Sequence, residues 1–377
     1  MKRPAAPDPR LLSRVLELAE RGRFTVSPNP MVGSLVARGD RILAEGFHER
    51  AGGPHAEVLT LQQAGTAARG ADLYVSLEPC VHFGRTPPCV PRILESGVGR
   101  VIVLSRDPNP KVHGRGIAAL ERAGVPVIRA DGGAHRLLAD RQNEKFSVWI
   151  REGRPFVLAK WAATLDGKTA SAAGDSQWIT GTASRLRAMA LREEYDAVLV
   201  GAGTVIADDP RLTRRLGWNR VTPHRRIVLD GRLRVPVSAR VFRRAPGTLL
   251  VTALPPEHSR VRAHQRQGVE VWSLPGPSPG RVSLRRLLRR LAGSGVASLM
   301  VEGGAETLGE FFRAGLVDRV AVFTAPKILG GASAPGGVGG AGLALSGARR
   351  LTDVEHESLG EDWLVSGRVA PSRRPTH

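Results

Sequence analysis

Several features of secreted and membrane proteins are missing from this chain of 377 residues. It has only two cysteines, Cys80 and Cys89, too few for a disulfide scaffold in a protein of this size. No apolar run approaches the roughly 18 residues that a membrane-spanning helix needs. Residues 1–10 carry charge but lack the apolar segment of a secretory signal. We therefore expect a cytoplasmic protein with no membrane partner.

Aromatic residues are also scarce, at 5% of the chain, whereas the formal net charge is +20. Nearly all the basic residues are arginines, and they are scattered through most segments instead of forming one tract. Proteins that hold single-stranded nucleic acid combine basic grooves with aromatic side chains on which the bases stack. Because that combination is missing, we interpret the charge as an arginine-rich solvated surface and expect no nucleic-acid partner.

The length predicts two domains, and the pattern of elements predicts their class. Strand patterns on both sides of Gly39 predict a hairpin, and a helical pattern at 55–65 precedes a strand at 71–79. Alternation of this kind favours an α/β fold with parallel strands. A polar helix over 135–153 leads to a new strand that starts at Pro155. We place the domains at residues 1–152 and 153–377.

The second half lacks the glycine pattern of common dinucleotide-binding folds. Residues 201–206 come closest to Gly-x-Gly-x-x-Gly, but Ile206 stands where the last glycine should be, so a standard Rossmann domain is excluded. Two strand–loop–helix junctions, at 201–204 and 302–306, remain as places where backbone N–H groups can hold a phosphate. A glycine-rich stretch at 330–342 predicts a loop.

The most specific pattern of the first half joins one histidine, one glutamate and both cysteines. His55 and Glu57 form a His-x-Glu triplet, Cys80 follows a proline, and Cys89 comes after eight intervening residues. One imidazole and two thiolates give zinc three protein ligands and leave the fourth tetrahedral position for water. Glu57 is then the candidate that moves protons during catalysis. Both cysteines are expected beside helix starts, where the helix dipole favours a thiolate.

Two other classes of protein carry parts of this pattern. A nucleic-acid base deaminase would suit the charge of +20, and salt-dependent RNA binding would favour it. A zinc-stabilised binding protein without catalytic activity would complete the metal site with a fourth protein ligand, for which His82 is the candidate. The three-ligand pattern and the scarcity of aromatic residues favour a small-molecule deaminase over both.

Residues 55–58, 76–80 and 84–89 together resemble the deaminase half of the bifunctional deaminase–reductase family of riboflavin biosynthesis. Typical of that family is the long cysteine spacing ending in Gly-Arg-Thr-Pro-Pro-Cys, where other zinc deaminases have Cys-x-x-Cys. Residues 29–36 and 46–57 match as well. The resemblance implies a cytidine-deaminase-like α/β/α domain that uses zinc to deaminate 2,5-diamino-6-(5-phosphoribosylamino)pyrimidin-4-one. It also implies three substrate-binding residues, which are Asn29, His48 and Arg85.

The second half resembles the reductase half of the same family at 160–170, 176–181, 201–215 and 301–312. The resemblance implies a dihydrofolate-reductase-like α/β domain that uses NADPH to reduce the ribosyl group of the deaminated product to ribityl. We take Lys160 and Asp208 as the candidates for polarising the sugar carbon and relaying a proton. The implied NADPH contacts are Ala162, Trp178, Thr204, Asp208, Gly304, Ala305 and Glu306. The implied substrate contacts are Ser176, Arg192, Leu212, Arg215 and Glu302.

Two positions depart from the family pattern. Thr164 replaces the usual serine before Leu-Asp-Gly and keeps its hydroxyl group. Glu306 puts a carboxylate into the turn expected to hold phosphate, which is unfavourable unless its side chain points away. The resemblance further implies a homo-oligomer that acts on a small-molecule substrate.

Overall fold

The structure is a computed structural model, and it describes residues 6–84, 86–130, 132–218, 222–243 and 246–370. The chain folds as two compact units, of which the first ends at Gly153 and the second starts at Arg154. Each unit contains a sheet with helices packed against it, so the expected α/β class is confirmed. Among the described residues, no helix has the length and apolar character needed to cross a bilayer.

The first unit contains helices and a five-stranded sheet in its described residues. Its helices are α1 (Pro9–Glu20), α2 (Ala56–Ala64), α3 (Cys89–Ser96), α4 (Arg115–Arg122), α5 (Gly133–Gln142) and α6 (Glu144–Glu152). Its strands are β1 (Gly33–Arg38), β2 (Arg41–Phe47), β3 (Asp72–Leu77), β4 (Arg100–Ser105) and β5 (Val127–Arg129). The strand order is β2-β1-β3-β4-β5, in which β3, β4 and β5 are parallel. The hairpin predicted around Gly39 is present as the antiparallel pair β1–β2.

Helices cover both faces of this sheet because its central strands are apolar on both sides. Leu73 and Val75 of β3 point to one face and join a buried cluster with Ile93 of α3. Tyr74, which lies between them in sequence, points to the other face and joins a cluster with Leu11 of α1. Successive side chains of a strand alternate between faces, so a strand with no polar face needs cover on each.

The second unit is built on a nine-stranded sheet. Its helices are α7 (Thr182–Glu194), α8 (Ala202–Asp208), α9 (Ser259–Arg266), α10 (Leu284–Gly293) and α11 (Ala305–Arg313). Its strands are β6 (Phe156–Thr164), β7 (Ala197–Gly201), β8 (Arg225–Leu229), β9 (Thr248–Thr252), β10 (Glu270–Ser273), β11 (Ser298–Glu302), β12 (Arg319–Ala325), β13 (Leu351–Leu359) and β14 (Asp362–Val369). The order is β10-β9-β8-β7-β11-β6-β12-β14-β13, with antiparallel pairing confined to β12–β14 and β14–β13. The carboxyl ends of β6, β7 and β11 therefore lie side by side.

The single helix predicted over 135–153 is wrong, because α5 and α6 meet at Asn143. The Asn143 side chain accepts a hydrogen bond from the Met31 N–H at 2.8 Å and donates one to the Met31 carbonyl at 2.9 Å. A short polar side chain that bonds to backbone elsewhere competes with continued helix formation. The break matters because Phe146 and Trp149 of α6 line a cavity described below.

Of the two glycine-rich loops predicted in the second unit, the structure confirms one. The loop predicted at 201–204 is wrong, since α8 begins at Ala202 directly after β7 ends at Gly201. The loop predicted at 330–342 is confirmed, because that stretch contains neither helix nor strand. Backbone hydrogen bonds attach this loop to the unit, including one of 2.9 Å from the Gly339 N–H to the Ala305 carbonyl.

Candidate active sites

Three side chains from different elements of the first unit come together. His55 immediately precedes α2, Cys80 lies in the segment after β3, and Cys89 is the first residue of α3. Their ligand atoms all lie within 4.8 Å of one another. The His55 Nδ1 atom is 3.1 Å from Cys89 Sγ and 3.5 Å from Cys80 Sγ. Among the described residues, no fourth side chain joins this group, so His82 does not complete it.

The donor set fits zinc with one coordination position left for a small molecule. One imidazole nitrogen and two sulfurs are typical zinc ligands, whereas structural sites normally have four protein ligands. Cys89 starts a helix as expected, but Cys80 does not. Instead, the Cys89 N–H donates a hydrogen bond to Cys80 Sγ at 3.3 Å. The Cys89 side chain and the His55 ring lower the pKa of the Cys80 thiol, which favours its thiolate form.

The orientation of the His55 ring is fixed from its other side. Its Nε2 atom lies 3.0 Å from the hydroxyl oxygen of Thr86, which can accept from Nε2–H, while Nδ1 faces the two sulfurs. Such a partner holds the ring in the tautomer that a metal ligand needs. Glu57 lies in the first turn of α2 and is buried. Burial raises the pKa of Glu57.

A cavity of about 260 Å³ adjoins these groups. His48 and Asn29 line it together with His55, Cys80 and Glu57. The His48 Nδ1–H donates to the Pro54 carbonyl at 2.9 Å, and His48 Nε2 accepts from the Asn29 amide at 3.0 Å. Burial lowers the pKa of His48, so the ring is neutral near pH 7. Arg85, the third substrate-binding residue expected in this unit, lies outside the described residues.

The sequence analysis missed the wall of the cavity that follows β4. Asp107 and Asn109 line it, and the Asn109 N–H donates to the Asp107 carboxylate at 2.8 Å. Burial raises the pKa of Asp107 to about 7. The signal was available, because Asp-Pro-Asn-Pro follows a buried parallel strand, and ligands of α/β sheets bind at the carboxyl ends of the strands.

In the second unit the structure brings together Lys160, Arg192 and Glu302. The parallel pairing of β6 and β11 places Lys160 opposite Glu302. The Arg192 guanidinium holds the Glu302 carboxylate through two hydrogen bonds of 2.9 and 2.7 Å. Burial alone would raise the pKa of Glu302, but the charges of Arg192 and Lys160 lower it to about 2. Burial also lowers the pKa of Lys160, although Glu302 opposes this shift.

Two glycines pack closely against neighbouring side chains where β7 and β11 end. Gly304 has a φ of 74°, and a Cβ on it would lie 3.1 Å from the Thr204 hydroxyl oxygen. A Cβ on Gly201 would collide with the hydroxyl of Thr307 in the first turns of α11. Glycines thus allow the end of β7 and the turn after β11 to pack closely against the start of α11, whose N–H groups fit the phosphates of a dinucleotide such as NADPH. The remaining cofactor candidates of this turn are Ala305, which is half-buried, and Glu306, which is exposed.

The other candidates of the second unit come from β6, from the segment before α7 and from the end of α8. Ala162 lies on β6, and Ser176 is half-buried in the segment before α7. Trp178 is 65% exposed, and the Arg185 guanidinium lies 4.8 Å from its ring centre. Asp208 ends α8, and partial burial raises its pKa. In the described part of the chain, no hydrogen bond or ion pair joins Asp208 to Lys160.

Leu212 and Arg215 lie on one loop that buried groups hold in place. Leu212 is buried with a φ of 54°, and its carbonyl accepts a hydrogen bond from His224 Nε2 at 3.2 Å. The Glu193 carboxylate accepts from the Arg215 N–H at 3.1 Å, while the Arg215 side chain is exposed. Sequence reasoning missed Glu193 and His224, which lie outside the motifs that it used.

Comparison with protein families gives a match for each unit. Residues 6–105 match the cytidine and deoxycytidylate deaminase zinc-binding region. Residues 155–365 match the RibD C-terminal domain.

Two curated relatives share most of their length with the chain. Riboflavin biosynthesis protein RibD of Aquifex aeolicus is 43% identical over 360 residues, covering 95% of this chain and 97% of the relative. The protein of that name from Escherichia coli is 39% identical, covering 85% and 88%.

Solved structures agree with this result. RibD of Acinetobacter baumannii matches with a TM-score of 0.83 and 33% identity, covering 96% of this chain and 98% of that one. A Thermotoga maritima protein matches with a TM-score of 0.80, 35% identity and the same coverage. It is named diaminohydroxyphosphoribosylaminopyrimidine deaminase/5-amino-6-(5-phosphoribosylamino)uracil reductase.

Proposed function

The chain belongs to the RibD family, and on this basis we propose the substrates and the residues of its two reactions. It is a bifunctional enzyme of riboflavin biosynthesis that combines a zinc-dependent deaminase with an NADPH-dependent reductase. We assign deamination to residues 1–152 and reduction to residues 153–377. The observation that carries the proposal is the convergence of His55, Cys80 and Cys89 beside a cavity that contains the buried Glu57.

The first reaction converts 2,5-diamino-6-(5-phosphoribosylamino)pyrimidin-4-one and water into 5-amino-6-(5-phosphoribosylamino)uracil and ammonia. His55, Cys80 and Cys89 would hold zinc, which would supply Lewis-acid chemistry that activates a water molecule for attack. Glu57 accepts a proton from the attacking water and delivers protons to the ring nitrogen and to the departing amino group. Its burial keeps bulk water away from this transfer.

The pyrimidine lies in the cavity between Asn29 and the zinc ligands. The hydrogen bond from Asn29 to the neutral His48 fixes both side chains, so each presents a defined polar edge to the substrate. We keep Arg85 as a substrate-binding residue, because an arginine can form paired hydrogen bonds with the ribose phosphate.

The second reaction reduces the ribosyl group of the uracil product to ribityl. NADPH would supply the hydride, and the N–H groups of Ala305 and Glu306 at the start of α11, beside Gly304, would hold its phosphates. The exposure of Glu306 supports this, since its carboxylate can turn into solvent. The other proposed NADPH contacts are Ala162, Trp178 and Asp208.

Lys160 and Asp208 carry the proposed catalytic roles in reduction. Lys160 polarises the sugar carbon, and its fixed place opposite Glu302 supports this role. Asp208 relays the proton that the reduced oxygen takes up, and partial burial raises its pKa above that of an ordinary aspartate. The proposed substrate contacts are Ser176, Arg192, Leu212, Arg215 and Glu302.

We further propose that the enzyme is a cytoplasmic homo-oligomer. Strand β13 supports self-association, because it is the edge strand of its sheet and most of its side chains are exposed. Unpaired edge strands are ready to pair with another chain. Val354 on β13 and Trp363 on its neighbour β14 add exposed apolar surface there. Sedimentation velocity of the purified chain tests this proposal, and a monomer at all concentrations contradicts it.

A coupled assay tests the two activities and their order. We expect ammonia release from the diaminopyrimidine substrate without NADPH, and oxidation of NADPH only once that substrate has been deaminated. Removal of zinc by a chelator should abolish ammonia release but leave reduction of the deaminated substrate intact. No ammonia from zinc-loaded protein would contradict the first reaction, and tight salt-dependent RNA binding would then favour a nucleic-acid deaminase.

A further inference from the structure

Glu78 is a buried carboxylate that no catalytic step uses. It follows β3, precedes the Pro79–Cys80 pair and is 3% exposed. Its two oxygens accept four backbone hydrogen bonds at the start of α4 and in the segment before it. The donors are the N–H groups of Asp107 at 3.3 Å, Gly114 at 2.9 Å, Gly116 at 2.9 Å and Ile117 at 3.2 Å.

Through these four N–H donors, the Glu78 carboxylate forms a strong junction between the segment that carries Cys80 and the segment 107–117. Hydrogen bonds to an ionised acceptor contribute more than neutral ones, and the positive end of the α4 dipole adds to the attraction. A buried donor that loses its acceptor costs about 1–3 kcal/mol, so the four bonds hold the two segments in one arrangement.

The junction joins two parts of the deaminase site. On one side, Glu78 is two residues from the zinc ligand Cys80. On the other, it holds the N–H of Asp107, the residue that forms the cavity wall together with Asn109. The packing at this point is tight, because a Cβ on Gly116 would collide with the Pro79 carbonyl oxygen. A shift of either segment is therefore transmitted to the other.

We propose that Glu78 is a positioning residue that sets the Cys80 ligand and the 107–109 cavity wall relative to each other. The inference rests on the proposed deaminase function for its kinetic part but not for its metal-binding part. Loss of the junction displaces the ligand and the wall together, and therefore changes zinc affinity and substrate affinity at once.

Glu78→Gln tests the proposal because it keeps the size of the side chain and removes the charge. Its amide nitrogen cannot accept a hydrogen bond, so some of the four donors lose their partner. We expect zinc affinity, measured by competition with a chelator, to fall at least about tenfold, as for other groups that orient metal ligands. At saturating zinc, deaminase kcat should recover while KM stays raised, because added metal does not restore the cavity wall.

Asp72→Asn is the matched control. Asp72 lies at the opposite end of β3 and binds Arg100 through two hydrogen bonds of 2.7 Å, away from the metal site. We expect it to lower the midpoint of thermal unfolding without changing zinc affinity. Reduction of the deaminated substrate by the same chains reports whether the second unit is intact. Unchanged zinc affinity and KM in Glu78→Gln, or an equal loss of zinc in Asp72→Asn, overturns the proposal.

Gly116→Ala provides a second route if Glu78→Gln fails to fold. It keeps the Glu78 carboxylate in the chain, but its Cβ collides with the Pro79 carbonyl oxygen and lies 3.1 Å from Glu78 Cγ. We expect the same joint loss of zinc affinity and rise in KM, whereas normal values for both contradict the proposal. If wild-type chain binds zinc but releases no ammonia, the proposed function has failed, and the zinc-affinity comparison still decides the role of Glu78.

Discussion

Gly201 and Thr307 approach each other so closely that no side chain fits between them. A Cβ on Gly201 would collide with the Thr307 hydroxyl and would lie 3.5 Å from the Thr307 Cβ, an ordinary contact distance. The obstacle to a larger residue at 201 is therefore one oxygen atom. This contact lies at the ends of the neighbouring strands β7 and β11, beside the start of α11 that we assign to the NADPH phosphates.

The contact predicts a pair of compensating substitutions. Gly201→Ala should raise the KM for NADPH about tenfold and lower the midpoint of thermal unfolding, because overpacking costs about 1–3 kcal/mol. Thr307→Ala removes the obstructing oxygen, so the double variant should recover most of both losses. Deaminase activity serves as the control and should not change. Two losses that simply add in the double variant would contradict this explanation.

Glu57→Gln should separate zinc binding from catalysis in the first unit. The amide keeps the size of the side chain but cannot carry a proton, so deamination should slow by about 10²–10⁴. Zinc content and reduction of the deaminated substrate should stay at wild-type levels. Glu95→Gln, an exposed position on α3, is the control and should leave deamination unchanged. Substantial deamination by the Glu57 variant would remove its proposed proton role.

Asp208→Asn should have the reverse effect. It removes the proposed proton relay, so reductase kcat should fall at least about tenfold while deamination continues. Asp209→Asn is a close control, because the carboxylate of Asp209 accepts the Arg240 N–H at 2.7 Å and an asparagine oxygen can do the same. Stopped-flow measurement of NADPH absorbance follows the reaction. Equal reductase kcat values in Asp208→Asn and Asp209→Asn would exclude Asp208 as the proton relay.

His224 predicts how the stability of the second unit depends on pH. Burial, helped by the charge of Arg214, lowers the pKa of His224 to about 4, whereas an unfolded histidine titrates near 6.5. The unfolded chain therefore binds this proton first, and stability is lost as the pH falls from about 6.5 to about 4. The loss from this residue amounts to at most about 3 kcal/mol over that interval.

His224→Gln tests the pH dependence because glutamine can still donate to the Leu212 carbonyl but does not titrate. We expect urea unfolding of the variant to show a smaller loss of stability than wild type between pH 7 and pH 5. The other titrating groups are common to both proteins, so their contributions cancel in the difference between the two unfolding free energies. Parallel curves for the two proteins would show that His224 does not carry this dependence.

The metal site was the part of the molecule that the sequence specified most completely. His55, Cys80 and Cys89 all lie within one short stretch of the chain, and the chemistry of zinc limits which residue types can act together. The support around them was not predictable in the same way. The N–H of Cys89 that bonds to Cys80 and the hydroxyl of Thr86 that orients His55 depend on the path of a loop.

Contacts between elements that are distant in the chain could also not be predicted from one sequence. Arg192 and Glu302 are both expected at the substrate, but their pairing arises only when α7 packs beside the end of β11. Strand β13 gave no alternating apolar pattern because, as an edge strand, it exposes most of its side chains. Asn143 breaks a helix through a bond to Met31, a residue 112 positions away.

The order of the sites along the chain has a consequence for how the enzyme acquires its cofactors. Every described residue that lines the deaminase cavity lies between Pro28 and Trp149, so the ribosome synthesises these residues before it begins β6. Domains generally fold as units during synthesis, with the N-terminal one first. Zinc can therefore enter while the second half is still being translated, before any site for the nicotinamide cofactor exists.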